Sequence, residues 1–486
     1  MMSFIDREET REALGYIRKE SLDIYNRLHS IEEDIKFVHL VHEAYSEHDI
    51  PFLPNLRCGA WYTDPEIAYD SPAYFKSTDG HCNNWSFNLR RANLHLLTLV
   101  SEHEGIALVD STRSGKRMPD ALSKTIPIWC AVINRAIKIR YPELPYSWDV
   151  KLYTPPHVVS AQEHRAIELR LDEWSISLAN SSYDLPKLAK PLRPMWITPS
   201  TSMFPSLPPS GSRTFCPILC ISASKQISDA IERRGGGFSY VQGSGDDHEL
   251  WGKGLMPAIF WRYRKELLDT PRSDLSDLVE SLVRNPPPSE WNKSPPTAIS
   301  HLHGRILICA LADLQSQSSG GIGHEDDTSY ILVTADSKAQ DIEAQPAQPS
   351  NGGRVLYLHV ASGKRGQYQF LQDILPRAMG FVGRELKQGR KVCIACETGK
   401  DVSVGIALAA SQKYFDDDGI LVFEGLNGNF VLAGSQCPCI TDLELAGNKR
   451  TIRTRLEWIV ASRPQANPSR ATLKRVNEYL LTPQEF

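Results

Sequence analysis

Between Lys391 and Ser411 the chain reads KVCIACETGKDVSVGIALAAS. Val392–Cys396 is an apolar run of strand length, and the stretch from Val402 onward is long enough for a helix. Only Glu397-Thr398-Gly399-Lys400-Asp401 separates them. A strand that is apolar at successive positions, with no polar alternation, has to be covered on both faces, as in a parallel sheet whose crossovers are helices. The plan recurs in GIALVDSTRSGKRMPDALSK, where GIALVD is the strand and Pro119 falls in the expected first helical turn. CPILCISAS and RVLYLHV read as further buried strands, and GGGFSYVQ as a turn into another. HLLTLVSEHE, MPDALSKTIPIWCAVINRAIKI and KQISDAIERR read as helices. Strands separated by helices throughout predict an α/β protein with mostly parallel sheets.

At 486 residues the chain has room for two such domains. Up to about Ser46, apolar residues at mixed three- and four-residue steps predict an N-terminal helical extension. RNPPPSEWNKSPP is the clearest linker, dividing an N-terminal domain at 1–284 from a C-terminal domain at 297–486. The Pro/Ser-rich run Lys187–Gly211 reads as an extended connection. Ser316–Gly353, polar and poor in aromatics, reads as a loose segment.

A formal net charge of −4 excludes a global basic field of the nucleic-acid-binding kind and leaves room only for local basic faces. The ten cysteines show no disulfide-framework rhythm, and MMSFIDREETREALGYIRKE becomes charged too early for a signal peptide. Reduced thiols and a cytoplasmic location are expected. Cys393-x-x-Cys396 has no second pair at metal spacing, and Cys393 should face the core of its strand. No run approaches the ~18 apolar residues of a membrane span.

Four loops and one helical segment carry candidate chemistry. In the opening loop, Cys396, Gly399 and Ser403 stand at the spacing of the cysteine-dependent phosphatase loop, His-Cys-x-x-Gly-x-x-Arg-Ser/Thr. Ala395 replaces its histidine and Val402 its arginine. Attack by a thiolate on phosphorus needs an arginine fork on the phosphoryl oxygens and an upstream acid, where LHVASGKRGQYQF offers Lys364 and Arg365. Hydrolysis is not expected. What remains is a loop kept for packing, or an anion cradle made of helix-terminal amides, Thr398 and Lys400.

The second loop, Ser111-Thr112-Arg113-Ser114-Gly115-Lys116-Arg117, sets three cations in a small-residue turn at a helix start. That suits a polyanion, with a solvated basic loop as the alternative. Aligning Gly115-Lys116 with Gly399-Lys400 puts Thr112 where Cys396 stands and hints at two related phosphate-loop domains. The third loop, AYFKSTDGHCNNWSFNLRR, crowds Lys76, Asp79, His81, Asn83 and Asn84. Asp79 or His81 could act as a general base, although Asn and Asp also build ordinary turns. In the fourth, YVQGSGDDHELWGKG, Gly243-Ser244-Gly245 permits close backbone approach. Asp246 and Asp247, followed by His248, could hold Mg²⁺ through water or bind ribose hydroxyls. The basic segment GNKRTIRTRLEWIVASRPQANPSRATLKRVNEYL offers Arg450, Arg453, Arg455, Arg470 and Lys474 to a nucleic-acid backbone, or else as solvated helix faces.

The strings FKSTDGHCNNWSFNLRR, VDSTRSGKRMPDALSKT, CISASK, YVQGSGDDHELW and ANPSRATLKRVNEYL together resemble the initiator-tRNA phosphoribosyl transferases of fungi and plants, also called tRNA 2′-O-ribosylphosphate transferases, from about Arg57 to Tyr479. The resemblance implies transfer of 5-phosphoribosyl from phosphoribosyl pyrophosphate, with Mg²⁺, to the 2′-OH of the T-stem adenosine at tRNA position 64 of initiator methionine tRNA. Pyrophosphate leaves, and the tRNA is marked for initiation rather than elongation. The C-terminal domain is implied to resemble a dual-specificity phosphatase, and the N-terminal domain to hold the phosphoribosyl donor. On that reading Lys76 and Ser111–Arg117 meet pyrophosphate, and Asp79, His81 or Asp110 takes the hydroxyl proton, with Asp79 favoured. Ser244, Asp246, Asp247 and His248 orient ribose or metal, with no protein metal ligand firmly assigned. Cys396, Thr398, Gly399, Lys400 and Ser403 hold a phosphate of donor or tRNA. Neither a membrane nor an obligate protein partner is expected. The competing expectation is a catalytically inactive phosphatase-like module that binds phosphorylated partners or RNA.

Overall fold

The computed structural model describes residues 4–482 apart from 57, 230, 286–294, 316–326, 336–353, 362, 425–429 and 433–447. The chain divides into two compact units, Met1–Pro288 and Ser289–Phe486. Most of the expected linker, and most of Ser316–Gly353, lies outside the described residues.

In the first unit, α1 (Phe4–Leu22) and α2 (Ile24–Ala44) precede a parallel sheet. Its strands β1 (Phe52–Pro54), β2 (Ile106–Asp110), β3 (Leu192–Ile197) and β4 (Cys216–Ser222) lie in the order β1-β2-β4-β3. Every residue of β2 and β4 is buried, for a reason visible in the packing. Ile106, Leu108, Ile218 and Cys220 enter a core shared with α3 (Leu96–His103) and α4 (Ile126–Arg140). Ala107, Val109, Leu219 and Ile221 enter a second core shared with α2. A sheet covered on both faces thus accounts for the unbroken apolar runs.

Two local expectations fail in this unit. The Pro/Ser-rich connection contains β3, whose Pro194 is tolerated because the strand lies at the sheet edge. KQISDAIERR is not helical: the Lys225 amide donates to the Tyr240 hydroxyl at 2.8 Å and the Ile227 amide to Gln242 Oε1 at 3.3 Å. Tertiary partners have taken the amides a helix would use, and β5 (Glu232–Arg233) instead pairs antiparallel with β6 (Ser239–Tyr240).

The second unit holds β7 (Thr297–Ala298), β8 (Ile306–Ala310), β9 (Thr328–Ala335), β10 (Val355–Val360) and β11 (Lys391–Cys396), ordered β10-β9-β11-β8-β7. Within this sheet the pairings are parallel except β7–β8. β9 corrects the loose reading of 316–353: its run TSYILVTA is buried at all but its last position, between β10 and β11. The helix Val402–Tyr414 follows β11 and is buried from Ser403 to Gln412, so it is a core helix with no solvent face. Counted along the chain, the four parallel strands run 1-2-4-3 in the first unit and 3-2-4-1 in the second. The glycine-lysine loops therefore leave non-equivalent strands, the second in one sheet and the fourth in the other. The hint of two related phosphate-loop domains is withdrawn. Among the described residues no helix is long and apolar enough to cross a membrane.

Candidate functional site

In open parallel sheets ligands gather outside the carboxyl ends of strands where successive connections part to opposite faces. In the first unit that point lies between β2, which leads to α4 on one face, and β4, which leads to the helices of 257–284 on the other. Three of the four candidate loops converge there. Gly243, at φ +67°, lies against the second loop so closely that a Cβ would sit 2.3 Å from the Thr112 carbonyl oxygen. Gln242 Nε2 donates to the carbonyls of Lys116 at 2.7 Å and Thr112 at 3.3 Å. Gly80 docks the third loop in the same manner, a Cβ there falling 2.7 Å from the Asp120 carbonyl oxygen. Thr125 Oγ1 donates to the Lys76 carbonyl at 3.0 Å, closing that contact.

The assembled surface is cationic around one carboxylate. Arg113, Gly115, Lys116 and Arg117 are exposed. Asp120 accepts from Lys116 Nζ at 2.7 Å and pairs with Lys124 Nζ at 2.9 Å, and His81 Nε2 lies 3.6 Å away. Burial works to raise the Asp120 carboxyl, but the bonds from Lys116 and Lys124 outweigh it and hold the group below its ordinary pKa. Lys124 is buried and also reaches Glu163 Oε1 at 3.2 Å. Burial disfavours its charge, yet Asp120 and Glu163 more than compensate and raise its pKa. A π-helical turn, Ala121–Thr125, carries this lysine, a device often met at functional sites. Lys76 is half-buried, and burial with the charge of Arg91 lowers its pKa against the pull of Asp79.

Several expected site residues serve the scaffold instead. Asp79 gives both carboxylate oxygens to Arg91, with Nη2 at 3.0 and 2.9 Å, so the favoured proton acceptor is engaged in a charge-assisted fork. Asp110 is fully buried and accepts from Asn55 Nδ2, Cys58 Sγ and the Ser111 amide, each at 2.9 Å, at the foot of the loop and out of reach of a substrate hydroxyl. Ser111 shares a hydrogen bond with Ser224 at 2.5 Å, and Thr112 is buried. Ser114 Oγ lies 3.5 Å from the Asp229 carbonyl. The buried Ser244 hydroxyl donates to the Val241 carbonyl at 2.7 Å, so it is not offered to a phosphate. Asp247 is exposed at φ +50°, Asp246 is half-buried, and the His248 ring lies 5.6 Å from that of Trp61. Arg27 reaches in from α2, its Nη1 3.4 Å from the Ser244 carbonyl. Burial lowers its pKa while Tyr62, Asp246 and Asp247 oppose that shift.

The loop of the second unit is built differently. Cys396 is 5% exposed, with Sγ 3.1 Å from Ser403 Oγ. Glu397 and Thr398 are exposed, Lys400 is half-buried, and the Lys400 amide donates to Thr398 Oγ1 at 3.3 Å. Beneath the loop lies Arg463, 3% exposed, whose Nε donates to the Gly399 carbonyl at 2.8 Å and Nη1 to Thr297 Oγ1 at 2.8 Å. This guanidinium does not replace the one missing at Val402, because carbonyl and hydroxyl oxygens occupy it. Asp401 Oδ1 accepts from the Ser469 amide at 2.9 Å and Thr472 Oγ1 at 2.6 Å, and the Asn467 amide donates to the Lys400 carbonyl at 2.9 Å.

Of the basic segment, Arg455 is 1% exposed, bonded to Asp417 at 2.9 Å and stacked on Trp458 at 4.1 Å. It is withdrawn as an RNA contact. Ile452, Arg455, Leu456 and Ile459 share one helix face, and that face is the buried one. Arg453 and Lys474 pair with Glu457 and Glu478 at 3.4 and 3.8 Å, while Arg450 and Arg470 are exposed. Sequence reading missed Asp120, Lys124, Glu163, Ser224 and the buried Asp34 of α2. The four-residue spacing of Asp120 and Lys124 was a usable signal for a pair on one helical face; Glu163 arrives from a distant segment and left none.

The fold and these loops define a two-unit α/β protein whose second unit carries a phosphatase-type loop without its arginine. Residues 17–284 match the family model described as Rit1 N-terminal domain, and residues 354–480 the one described as Rit1 DUSP-like domain. The chain belongs to the Rit1 family, the tRNA 2′-O-ribosylphosphate transferase family that its sequence strings resemble. It is 32% identical, over 96% of its length and 93% of the relative's, to the tRNA A64-2′-O-ribosylphosphate transferase of Saccharomyces cerevisiae. A Schizosaccharomyces pombe protein described as uncharacterized is 33% identical over 98% of both chains. Among solved structures, a human tyrosine phosphatase-like serine/threonine/tyrosine-interacting protein is similar over 37% of this chain and 92% of its own, at 13% identity and a TM-score of 0.25. A leucine rich repeat and phosphatase domain containing protein from Entamoeba histolytica is similar over 38% and 89%, at 12% identity and a TM-score of 0.23.

Proposed function

We propose that this chain is a pentosyltransferase that moves 5-phosphoribosyl from phosphoribosyl pyrophosphate to the 2′-OH of adenosine 64 in the T-stem of initiator methionine tRNA, reserving that tRNA for initiation. One observation supports the reading above others: the exposed Arg113–Lys116–Arg117 turn, joined through Asp120 to Lys124, lies at the carboxyl ends of β2 and β4 and is docked against the Gly243–Asp247 loop. In a relative of a ribosylphosphate transferase, that is a place for a leaving pyrophosphate beside a ribose.

The carbon–oxygen bond between ribose C1 and pyrophosphate breaks through an oxocarbenium-like state as the adenosine 2′-oxygen attacks the opposite face. Exposed Arg113, Lys116 and Arg117 stabilise the charge gathering on pyrophosphate, the kind of contribution that is usually largest in such transfers. His81 receives the hydroxyl proton. Its ring is exposed beside these cations, with Nε2 3.6 Å from Asp120 Oδ2. Half-buried Asp246 and exposed Asp247 are adjacent carboxylates that would hold Mg²⁺ together with substrate phosphates, as is usual for this metal. Mg²⁺ bound there would neutralise charge on the leaving group.

Purified protein incubated with labelled phosphoribosyl pyrophosphate, Mg²⁺ and initiator tRNA should yield labelled tRNA, and tRNA carrying 2′-deoxyadenosine at position 64 should yield none. Absence of transfer to the unmodified tRNA overturns the reading. The competing reading, a phosphatase-like binding module, rests on the preserved Cys396–Ser403 contact. Tight tRNA binding with no turnover of the phosphoribosyl donor would favour it.

A further inference from the structure

Apart from Arg27, the N-terminal helices have no part in the reading so far, yet α2 carries a buried polar stripe. Asn26, Ser30 and Asp34 recur at four-residue steps on one helix face, and none is more than 3% exposed. Each meets the segment that leads to Asp246 and Asp247. Asn26 Oδ1 accepts from the Ser239 amide at 2.9 Å, Ser30 Oγ from the Val241 amide at 2.9 Å, and Asp34 Oδ1 from the Tyr240 hydroxyl at 2.7 Å. The helix face supplies partners that a neighbouring strand would otherwise give.

Asp34 has a second arm. Its Oδ2 accepts from Ser224 Oγ, just past β4, at 2.5 Å, and Ser224 is bonded to Ser111 Oγ at 2.5 Å. Ser111 also shares a hydrogen bond with Tyr62, whose hydroxyl oxygen accepts from the Gly245 amide at 2.7 Å. The contacts form a closed circuit from Asp34 through Ser224, Ser111, Tyr62 and Gly245, and back along the chain to Tyr240. Packing does not call for a carboxyl group here. Leu28, Ile31, Ile35, Val38 and Val41 on the same helix are fully buried and already anchor it. A buried carboxyl is costly unless its hydrogen bonds are satisfied. Burial raises the pKa of Asp34, and the bonds from Ser224 and Tyr240 oppose that rise.

We propose that Asp34 is a positioning residue for the transfer reaction, tying the Ser111–Arg117 loop to the Ser239–Asp247 segment and so setting the distance between the pyrophosphate and ribose halves of the donor site. This rests on the reading of those two loops given above. Asp34→Asn keeps the shape of the side chain but replaces one of its two acceptor oxygens with an amide group that cannot accept from its hydroxyl. It should raise the KM for phosphoribosyl pyrophosphate and the Kd for inorganic pyrophosphate with Mg²⁺ about tenfold, the size of one lost hydrogen bond. The KM for tRNA should stay within about twofold, because Asp34 is buried and bonded to the two donor-site loops and offers nothing to the tRNA.

Tyr240→Phe and Ser224→Ala each cut one arm and carry the same expectation should Asp34→Asn not fold. Unchanged donor KM and pyrophosphate Kd in folded variants overturn the proposal. So does a rise in the tRNA KM in step with the donor KM, which would mark a merely structural residue. If the unaltered protein binds pyrophosphate more tightly than the variants yet transfers nothing, the positioning role stands and the assigned reaction fails. If the unaltered protein binds no pyrophosphate, both fail.

Discussion

The chain builds a strand–loop–helix with a glycine-lysine pair twice, and the two loops place their cations in opposite ways. After β2, Arg113, Lys116 and Arg117 are exposed, and Asp120 gathers Lys116 and Lys124 at one spot. After β11, Arg463 is buried under the loop and bonded to the Gly399 carbonyl, leaving half-buried Lys400 as the loop's own cation. Both loops need glycine at positive φ, Gly115 at +89° and Gly399 at +64°, so backbone shape does not separate them. The direction of the side chains does. A phosphate site is decided by which charges remain unspent once the loop has been braced, and the two loops differ in what braces them.

The sharpest test removes one lysine from each loop. Lys116→Ala should lower transfer about a hundredfold or more, the loss typical when a group stabilising the transition state is removed. Lys400→Ala should change it less than about fivefold, measured in the same assay with labelled donor. The reverse order would move the pyrophosphate site to the second unit. Next come the bracing glycines. A Cβ on Gly243 would meet the Thr112 carbonyl oxygen at 2.3 Å, and one on Gly399 would meet the Cys309 carbonyl carbon at 2.6 Å. Either alanine variant should destabilise its own unit by roughly 1–3 kcal/mol in chemical denaturation. Only Gly243→Ala should also reduce transfer. Equal losses would mean the loops are functionally alike.

A smaller effect depends on pH. The Asp120 pKa is held below its ordinary value, so its ionised form contributes stability that is present above the ordinary aspartate pKa of about 3.9 and is lost as pH falls through the lower, folded value. Asp120→Asn should therefore be about 1–2 kcal/mol less stable than the unaltered protein at neutral pH, and the gap should close below about pH 4. A pH-independent gap would show that Asp120 acts through shape alone. The smallest expected effect is that of Cys396→Ser. Transfer should change less than about twofold, and neither protein should hydrolyse an aryl phosphate, because the loop has no arginine fork. Hydrolysis abolished by this change would restore phosphatase chemistry to the second unit.

What the sequence disclosed about these regions follows from physical range. The runs at β2, β4 and β11 were legible because double coverage leaves polar residues only at their ends. The close approach of Gly243 was legible because a GSG run has few other uses. Asp79 was misjudged because Arg91, its partner, is in sequence merely another basic residue on the same loop. KQISDAIERR has a helical pattern, and the hydroxyl of Tyr240 and amide of Gln242 that override it cannot be read from that pattern. Arg455 is instructive in the other direction. Its place between Ile452 and Ile459 on one helix stripe is legible in the sequence, and there periodicity outweighs charge. Asp34 was hidden among the apolar residues of α2 because its partners lie 190 and 206 residues away.

The bracing of the second loop also bears on the order in which the chain can mature. Gly399 and Asp401 are held by Arg463 and Thr472, at separations of 64 and 71 residues. During synthesis β11 and its helix emerge well before the residues that fasten the turn between them. The turn can settle only when the later helices dock, which makes it a late event in the folding of that unit. A nascent chain stalled between Asp401 and Arg463 would display the strand and helix with an unfastened loop, a state that chaperones and proteases can distinguish from the finished protein.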